Sequence, residues 1–363
     1  MLKLEITIVP IHLYLTIYQC VLLAVILVAA LGIYGKQLKF DVSPAALNWL
    51  GVFILVFTLI YIGFRPINGV FVDMTTYAKI FSDYEYGFER AANDPIFHYF
   101  TLLSSKLLNV NIYFLFCTLL YVVPLYISSK ILLGRYWVYG FLFLIGSFSF
   151  WNYGTNGIRN GIASSLFILG LSARRIGPRL FWILVSVGFH KSMLIPALCF
   201  AATYLNKSPK AYIAFWASSI LASFSFGNIF SNLILDIGFE DARVDYLSVA
   251  AETNEYVGGV FRWDFLIYSS VPVFLGYYYV VYKKYYDDLY VRLYCTYVLS
   301  NAFWILVIQA NFSNRFAYLS WFIMGFILSY PLLTKNLIKN QGIFIAILLL
   351  IYFCFTYFMV IFS

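Results

Sequence analysis

Four arginines stand where a mostly apolar chain has no ordinary use for them: Arg65 in "GFRPING", Arg159 in "TNGIRNG", Arg262 in "VFRWDF" and Arg315 in "FSNRFAY". Each lies within a few residues of a long hydrophobic run. Charge at membrane depth is expensive and marks a functional site with a partner. A guanidinium offers a planar fork of donors that matches phosphate oxygens, and it does not lose its proton. The acids nearest in sequence, Asp73 and Asp264, can neutralise at most two of the four. The remaining charge calls for an anion, best a phosphate or diphosphate. The competing explanation is snorkelling to lipid headgroups or pairing with loop acids. Arg159 and Arg315 fit it less well, because each sits in a polar cluster (Asn156 and Asn160; Asn311, Ser313 and Asn314). Around Arg159, Gly157 and Gly161 permit close backbone approach, and residues 156–160 open a predicted helix whose N-terminus favours anions.

His190 is the second anomaly. "GFHKS" interrupts the apolar run between "WILVSV" and "MLIPALCF", with Lys191 and Ser192 beside it. Imidazole titrates near neutrality and suits a general base. Asp73 and Asp264 are rival bases, since a carboxylate near several arginines stays ionised. His12 and His98 lack such a context. Motifs for a metalloprotease, a serine nucleophile or a P-loop are absent, and the loop acids in "DYEY" and "FEDARVD" are spaced like solvated helix faces. Neither metal nor cofactor is implied. The five cysteines each sit alone in an apolar run and read as packing residues.

These residues must be positioned by a very apolar chain. Of its 363 residues, 63% are hydrophobic and 11% charged, and its mean hydropathy is +0.84. A soluble domain is about a quarter charged. A globule of this length could not hide so much apolar surface from water, so its solvent is largely lipid. The net charge of +8 carries no nucleic-acid argument, because the Lys and Arg form no basic stripe.

Apolar runs predict spanning helices over 12–34, 47–64, 111–130, 136–152, 158–173, 211–230, 264–282, 291–310, 315–333 and 341–361. The first reads as a membrane helix rather than a cleaved signal. Segment 95–108 is short and amphipathic. Segment 180–205 is too long for one comfortable span and is interrupted by Gly188, His190, Lys191 and Pro196. Of sixteen acids, five lie in 65–95 and six in 231–262, whereas the short loops are rich in Lys and Arg. The positive-inside rule then puts the short loops in the cytoplasm and the two acidic loops, about 65–95 and 231–262, outside. This closes only if 95–108 lies at the outer surface and 180–205 is a broken hairpin bent near His190, next to a cavity. Alternatively both segments span, and Arg174, Arg175 and Arg179 lie outside. Residues 1–363 read as one integral membrane domain. Most of the many aromatic rings serve packing and lipid contact; some could stack on sugars.

Several stretches resemble a known family. "RPINGVFVDMTTYAKIFSDY" is similar to its pattern of an Arg, then an Asp (Asp73), then a Tyr four residues on (Tyr77). "NGIRNGIASSLFILG" resembles its Arg-centred helix opening, with Asn160 where Gln is frequent. "GFHKSMLIP" resembles its His-x-Ser motif (His190, Ser192), and "FRWDFLIYSS" and "NRFAYLSWF" its last two Arg motifs. In this order, over roughly residues 60–330, they resemble the EpsG-like branch of the Wzy-type polysaccharide polymerases. The chain departs from the pattern at Asn160 and in lacking the usual Gly-Thr before Asp73.

The resemblance implies an all-α, GT-C-like polytopic protein of about 10–12 transmembrane helices in the bacterial inner membrane. It implies metal-independent glycosyl transfer on the outer (periplasmic) face, moving the growing chain onto a new undecaprenyl-diphosphate-linked oligosaccharide unit, as in O-antigen or other lipopolysaccharide synthesis. Its partners are that lipid-linked substrate, the bilayer and a chain-length regulator. Catalysis falls to Arg159, Arg315, His190, Asp73 and Asp264, and substrate binding to Arg65, Tyr77, Asn156, Asn160, Ser192, Arg262 and Asn314. Two rivals stay open. A flippase for lipid-linked oligosaccharide needs charges along a path to both faces, and no inverted repeat is visible. A membrane O-acyltransferase using His190 needs a route for a cytoplasmic acyl donor.

Overall fold

The computed structural model describes residues 9–35, 45–88, 94–236, 261–309 and 313–361. Among these, all regular structure is helical. Most of the acidic loop at 231–262 and Asn311 fall outside the described residues.

The chain divides into two compact units, one formed by residues 1–191 and 332–363, the other by residues 192–331. In the first unit the helices are α1 (Tyr14–Ile33), α2 (Ala45–Gly63), α3 (Asp73–Glu85), α4 (Pro95–Leu107), α5 (Val110–Leu133), α6 (Trp137–Ile145), α7 (Phe148–Thr155), α8 (Ile158–Ser172), α9 (Ile176–Phe189) and the C-terminal helix Gln341–Ile361. Helix α5 packs against α2 and α8, α8 against α9, and α4 against α3 and α9, while α1 lies along the C-terminal helix. In the second unit are α10 (Leu194–Leu205), α11 (Pro209–Asp236), α12 (Trp263–Tyr277), α13 (Asp288–Leu306), α14 (Asn314–Trp321) and most of α15 (Met324–Thr334). The C-terminal helix is α16.

Among the described residues, six helical stretches are long and apolar enough to cross a bilayer: Ile11–Ile33, Ala45–Gly63, Val110–Ile145, Trp263–Tyr282, Asn314–Thr334 and Gln341–Ile361. The protein is therefore an all-helical, multi-pass membrane protein. The apolar helices Ile158–Ser172, Ile176–Phe189 and Lys191–Leu205 are shorter. Fifteen residues of α8 rise only about 22 Å, less than the hydrocarbon core.

Two expected spans are corrected: α8, expected to cross as 158–173, is too short to do so alone, and 136–152 is not one helix. Residues 136–152 form two helices, α6 and α7, because the chain leaves the helix at Gly146 and is extended at Ser147. The expected interruption in 180–205 is present: α9 ends at Phe189, His190 is extended (φ −156°, ψ 121°), and helix resumes through Lys191–Met193 into α10. The 13 residues of α4 are too few to cross a membrane. They turn Tyr99, Leu103 and Leu107 outward and bury Phe97, Thr101 and Ser104. An exposed apolar stripe at i, i+4, i+8 suits a helix lying against lipid.

Tyrosine is used in this interior for more than bulk. Tyr294 Oη donates to the Val273 carbonyl (2.8 Å), Tyr297 Oη to Ser269 (2.7 Å) and Tyr290 Oη to Ile327 (2.9 Å). Each ring fills volume and its hydroxyl meets a backbone acceptor, which removes the penalty of a buried, unpaired polar group. This accounts for part of the high aromatic content without any ligand. On the same helix, buried Arg292 clamps α13 to α10. Its Nη1 donates to the Thr203 carbonyl (3.0 Å), its Nε to Asp288 (3.0 Å), and its guanidinium lies over Tyr204.

Candidate functional site

Arg159 is the second residue of α8. The preceding helix, α7, ends only three residues before α8 starts, so the corner is tight. It is tight enough that a Cβ at Gly161 would sit 2.5 Å from the Tyr153 carbonyl oxygen. That close approach sets where α8 begins and therefore where Arg159 projects. Its Nη1 donates to Asp94 Oδ2 at 2.6 Å, and its Nε to the Tyr77 hydroxyl at 3.3 Å. The guanidinium lies over the rings of Tyr77 and Phe97, which themselves meet edge to face. The Arg159 side chain keeps 32% of its surface exposed, whereas that of Asp94 keeps 6%. The pair is thus a buried carboxylate holding a cation at the edge of the unit.

Asp94 reaches a second element. Its Oδ1 accepts from the Lys191 backbone N–H at 3.1 Å. His190, the neighbouring residue, is buried at 3% exposure and caps α9, its own N–H donating to the Ser186 carbonyl. Helix α9 is held against α4 at Gly188, where a Cβ would meet Ile96 Cδ1 at 2.5 Å. One carboxylate therefore ties the start of α8 to the break after α9. In the sequence Asp94 is only one of the five acids of the 65–95 loop, with no role assigned to it; the structure gives it one. The available signal is local: Asp94 directly precedes Pro95 at the first position of α4, a typical N-cap arrangement. Its side chain makes no cap bond, which the sequence does not reveal.

Asp73 begins α3 after Val72, a β-branched residue at φ 45°. Such a backbone is strained and persists only where the surroundings enforce it. Here it aims the Asp73 backbone N–H at Asn156 Oδ1 (3.1 Å), linking α3 to the α7–α8 corner. Asn160 follows Arg159 in α8 and is half-buried. Burial raises the pKa of the Tyr77 hydroxyl, which stays protonated.

Arg65 is placed differently. It is 2% exposed. Its Nη1 donates to the Ile62 carbonyl (2.6 Å) and its Nη2 to the Thr155 carbonyl (3.3 Å), at the C-terminal ends of α2 and α7. It lies between Phe71 and Phe114. Burial pushes its pKa down to about 10, which still leaves it cationic at neutral pH. Asp73, offered by sequence as its counter-ion, does not serve it. Arg65 caps two helix ends whose dipoles favour a cation.

In the second unit, Arg262 caps α12 and grips Asp264 with both arms (Nε–Oδ1 2.9 Å, Nη2–Oδ2 2.6 Å), its guanidinium 3.7 Å from the centre of the Phe265 ring. The carboxylate partner raises the Arg262 pKa. Arg315 is the second residue of α14, after Asn314, and both are half-buried. It occupies in α14 the position that Arg159 occupies in α8. Ser192 opens this unit and is buried. Among the described residues, no three His, Cys, Asp or Glu side chains gather at metal-ligating range.

A groove of about 580 Å³ runs along α3 and α4, lined by Tyr84, Phe88, Tyr99, Leu102, Leu103 and Lys106. Lys106 Nζ donates to the Tyr84 carbonyl at its edge (3.0 Å), and Tyr84 Oη pairs with His98 Nδ1 (2.7 Å).

The family model described as the EpsG family matches residues 48–363. The matched stretch covers most of the chain and all of the residues above, so the chain belongs to the EpsG family. No curated protein and no solved structure matches it. Membership makes this a membrane protein of polysaccharide synthesis.

Proposed function

We propose that this EpsG-family protein polymerises lipid-linked oligosaccharide repeat units by glycosyl transfer. The acceptor sugar hydroxyl attacks the anomeric carbon of the growing chain, a new C–O bond forms, and the bond to undecaprenyl diphosphate breaks. The hydroxyl proton passes to His190. Arg159 stabilises the negative charge that develops on the departing diphosphate, the contribution expected of preorganised donors aimed at growing charge. Tyr77 and Asn156 orient this corner. The apolar groove along α3 and α4 takes part of the prenyl chain. The reaction runs on the outer face of the inner membrane.

The observation that carries this reading is the shared carboxylate. Arg159 and the His190 break, two anomalies far apart in sequence, meet through Asp94. An arginine at a helix N-terminus, partly exposed and framed by aromatic rings, suits a phosphate. A buried histidine at a helix break suits proton transfer.

A strain lacking the gene, complemented with wild type or variants, tests it. Loss of function should leave single repeat units on their lipid outside the cytoplasm, with no polymer ladder. Units retained on the cytoplasmic side would instead identify a flippase. Unmodified but polymerised glycan would identify an O-acyltransferase.

A further inference from the structure

We infer that Asp94 is the positioning residue of this site: it holds Arg159 and the His190–Lys191 peptide in one register, and at the same time restrains the site's affinity for the diphosphate. The inference rests on the polymerase reading above. Asp94 stands at the N-cap of α4, where a carboxylate normally satisfies its own helix's first N–H groups. It satisfies none of them. It is 5% exposed, and both oxygens are given to other elements: Oδ2 to Arg159 of α8 and Oδ1 to the N–H after His190. A carboxylate is kept at such depth only with a charged partner and further hydrogen bonds. Those conditions are met across three separate helices, so the arrangement is specific to this juncture. It also has a consequence for substrate. An anion reaching Arg159 meets a guanidinium already half neutralised, so Asp94 exchanges affinity for orientation.

Asp94→Asn separates the two effects. The amide oxygen can still accept from Lys191, but the charge on Arg159 is no longer balanced. Purified protein in nanodiscs, titrated with undecaprenyl diphosphate, should bind it roughly tenfold more tightly than wild type, as a gain of about 1.4 kcal/mol implies. Turnover of lipid-linked repeat units should fall on the order of a hundredfold, the usual scale for a displaced catalytic group, so that kcat and KM drop together. Asp94→Glu keeps the charge and shifts its position; it should lose turnover without gaining affinity. A purely architectural residue would instead lose binding, turnover and melting temperature in parallel. Unchanged or weaker diphosphate binding by Asp94→Asn, or undiminished turnover, overturns the inference, as does failure of both variants to fold. A wild-type protein that binds the lipid diphosphate yet never elongates removes the polymerase reading, and the binding arm then decides the Asp94 claim alone.

Discussion

Asp94 and Arg159 lie 65 positions apart and form a 2.6 Å ion pair in which the acid is buried and the base is partly open to its surroundings. This asymmetry shapes how the site will respond to mutation. Removing Arg159 abolishes an anion ligand and also strands a buried carboxylate.

Arg159→Ala should therefore fail twice. Its turnover falls by roughly 10²–10³-fold, the scale for losing one donor to developing negative charge. Its stability falls by about 3 kcal/mol, because breaking a buried pair leaves an uncompensated charge. Adding Asp94→Asn should restore much of the melting temperature and none of the polymer. A double variant as unstable as Arg159→Ala would show that the pair does not carry the stability.

His190→Ala should leave expression and membrane insertion intact and reduce turnover by roughly 10²–10⁴-fold, the contribution of a positioned general base. Added imidazole should recover part of the rate. Full activity in His190→Ala would transfer the base to Asp73 or Asp264.

Much of the fold is legible in the sequence, because the longest helices coincide with apolar runs. Residues 14–33, 45–63 and 341–361 are near-continuous apolar stretches, each marked at one end by a Gly or Gln (Gly35, Gly63 and Gln341). The break at His190 is legible for the opposite reason: Gly188, His190, Lys191 and Pro196 oppose a continuous span. The division of 136–152 is not legible, since a Gly-Ser step is common inside membrane helices and only its packing makes it a corner. The site was partly legible. Arg159 and His190 announce themselves as polar groups in apolar runs. Asp94 does not, because a loop acid looks solvated until the fold brings Arg159 and Lys191 to it. Arg65 announces itself too, but its partners are carbonyls, which no sequence pattern displays.

Glycine positions give a test of the corner that aims Arg159. At Gly161 an added methyl meets the Tyr153 backbone at 2.5 Å, whereas at Gly157 the nearest atom is a Tyr153 ring carbon at 3.4 Å. Gly161→Ala should cost about 1–3 kcal/mol, as overpacking does, and should shift α8 enough to impair polymer formation. Gly157→Ala should be tolerated. Thermal melts and polymer ladders of the two variants check the contrast, and equal behaviour would argue against a steric role for Gly161.

Arg65 should behave as a structural cation. Arg65→Ala leaves the Ile62 and Thr155 carbonyls short of a donor and should lower stability by about 3 kcal/mol, from lost charged hydrogen bonds. Whatever folded fraction remains should bind undecaprenyl diphosphate as wild type does. A selective loss of that binding, with an unchanged melting temperature, would place Arg65 in the substrate site instead.

The most direct measurement uses purified protein in liposomes with a lipid-linked repeat unit as the only glycan substrate. Free undecaprenyl diphosphate and new glycosidic linkages are counted together. The account predicts one lipid diphosphate released for each linkage formed, and at least a hundredfold loss of both in Arg159→Ala, the scale for a lost oxyanion-type donor. Linkages formed at the wild-type rate by Arg159→Ala, or movement of the lipid-linked unit across the bilayer with no linkage formed, would contradict it.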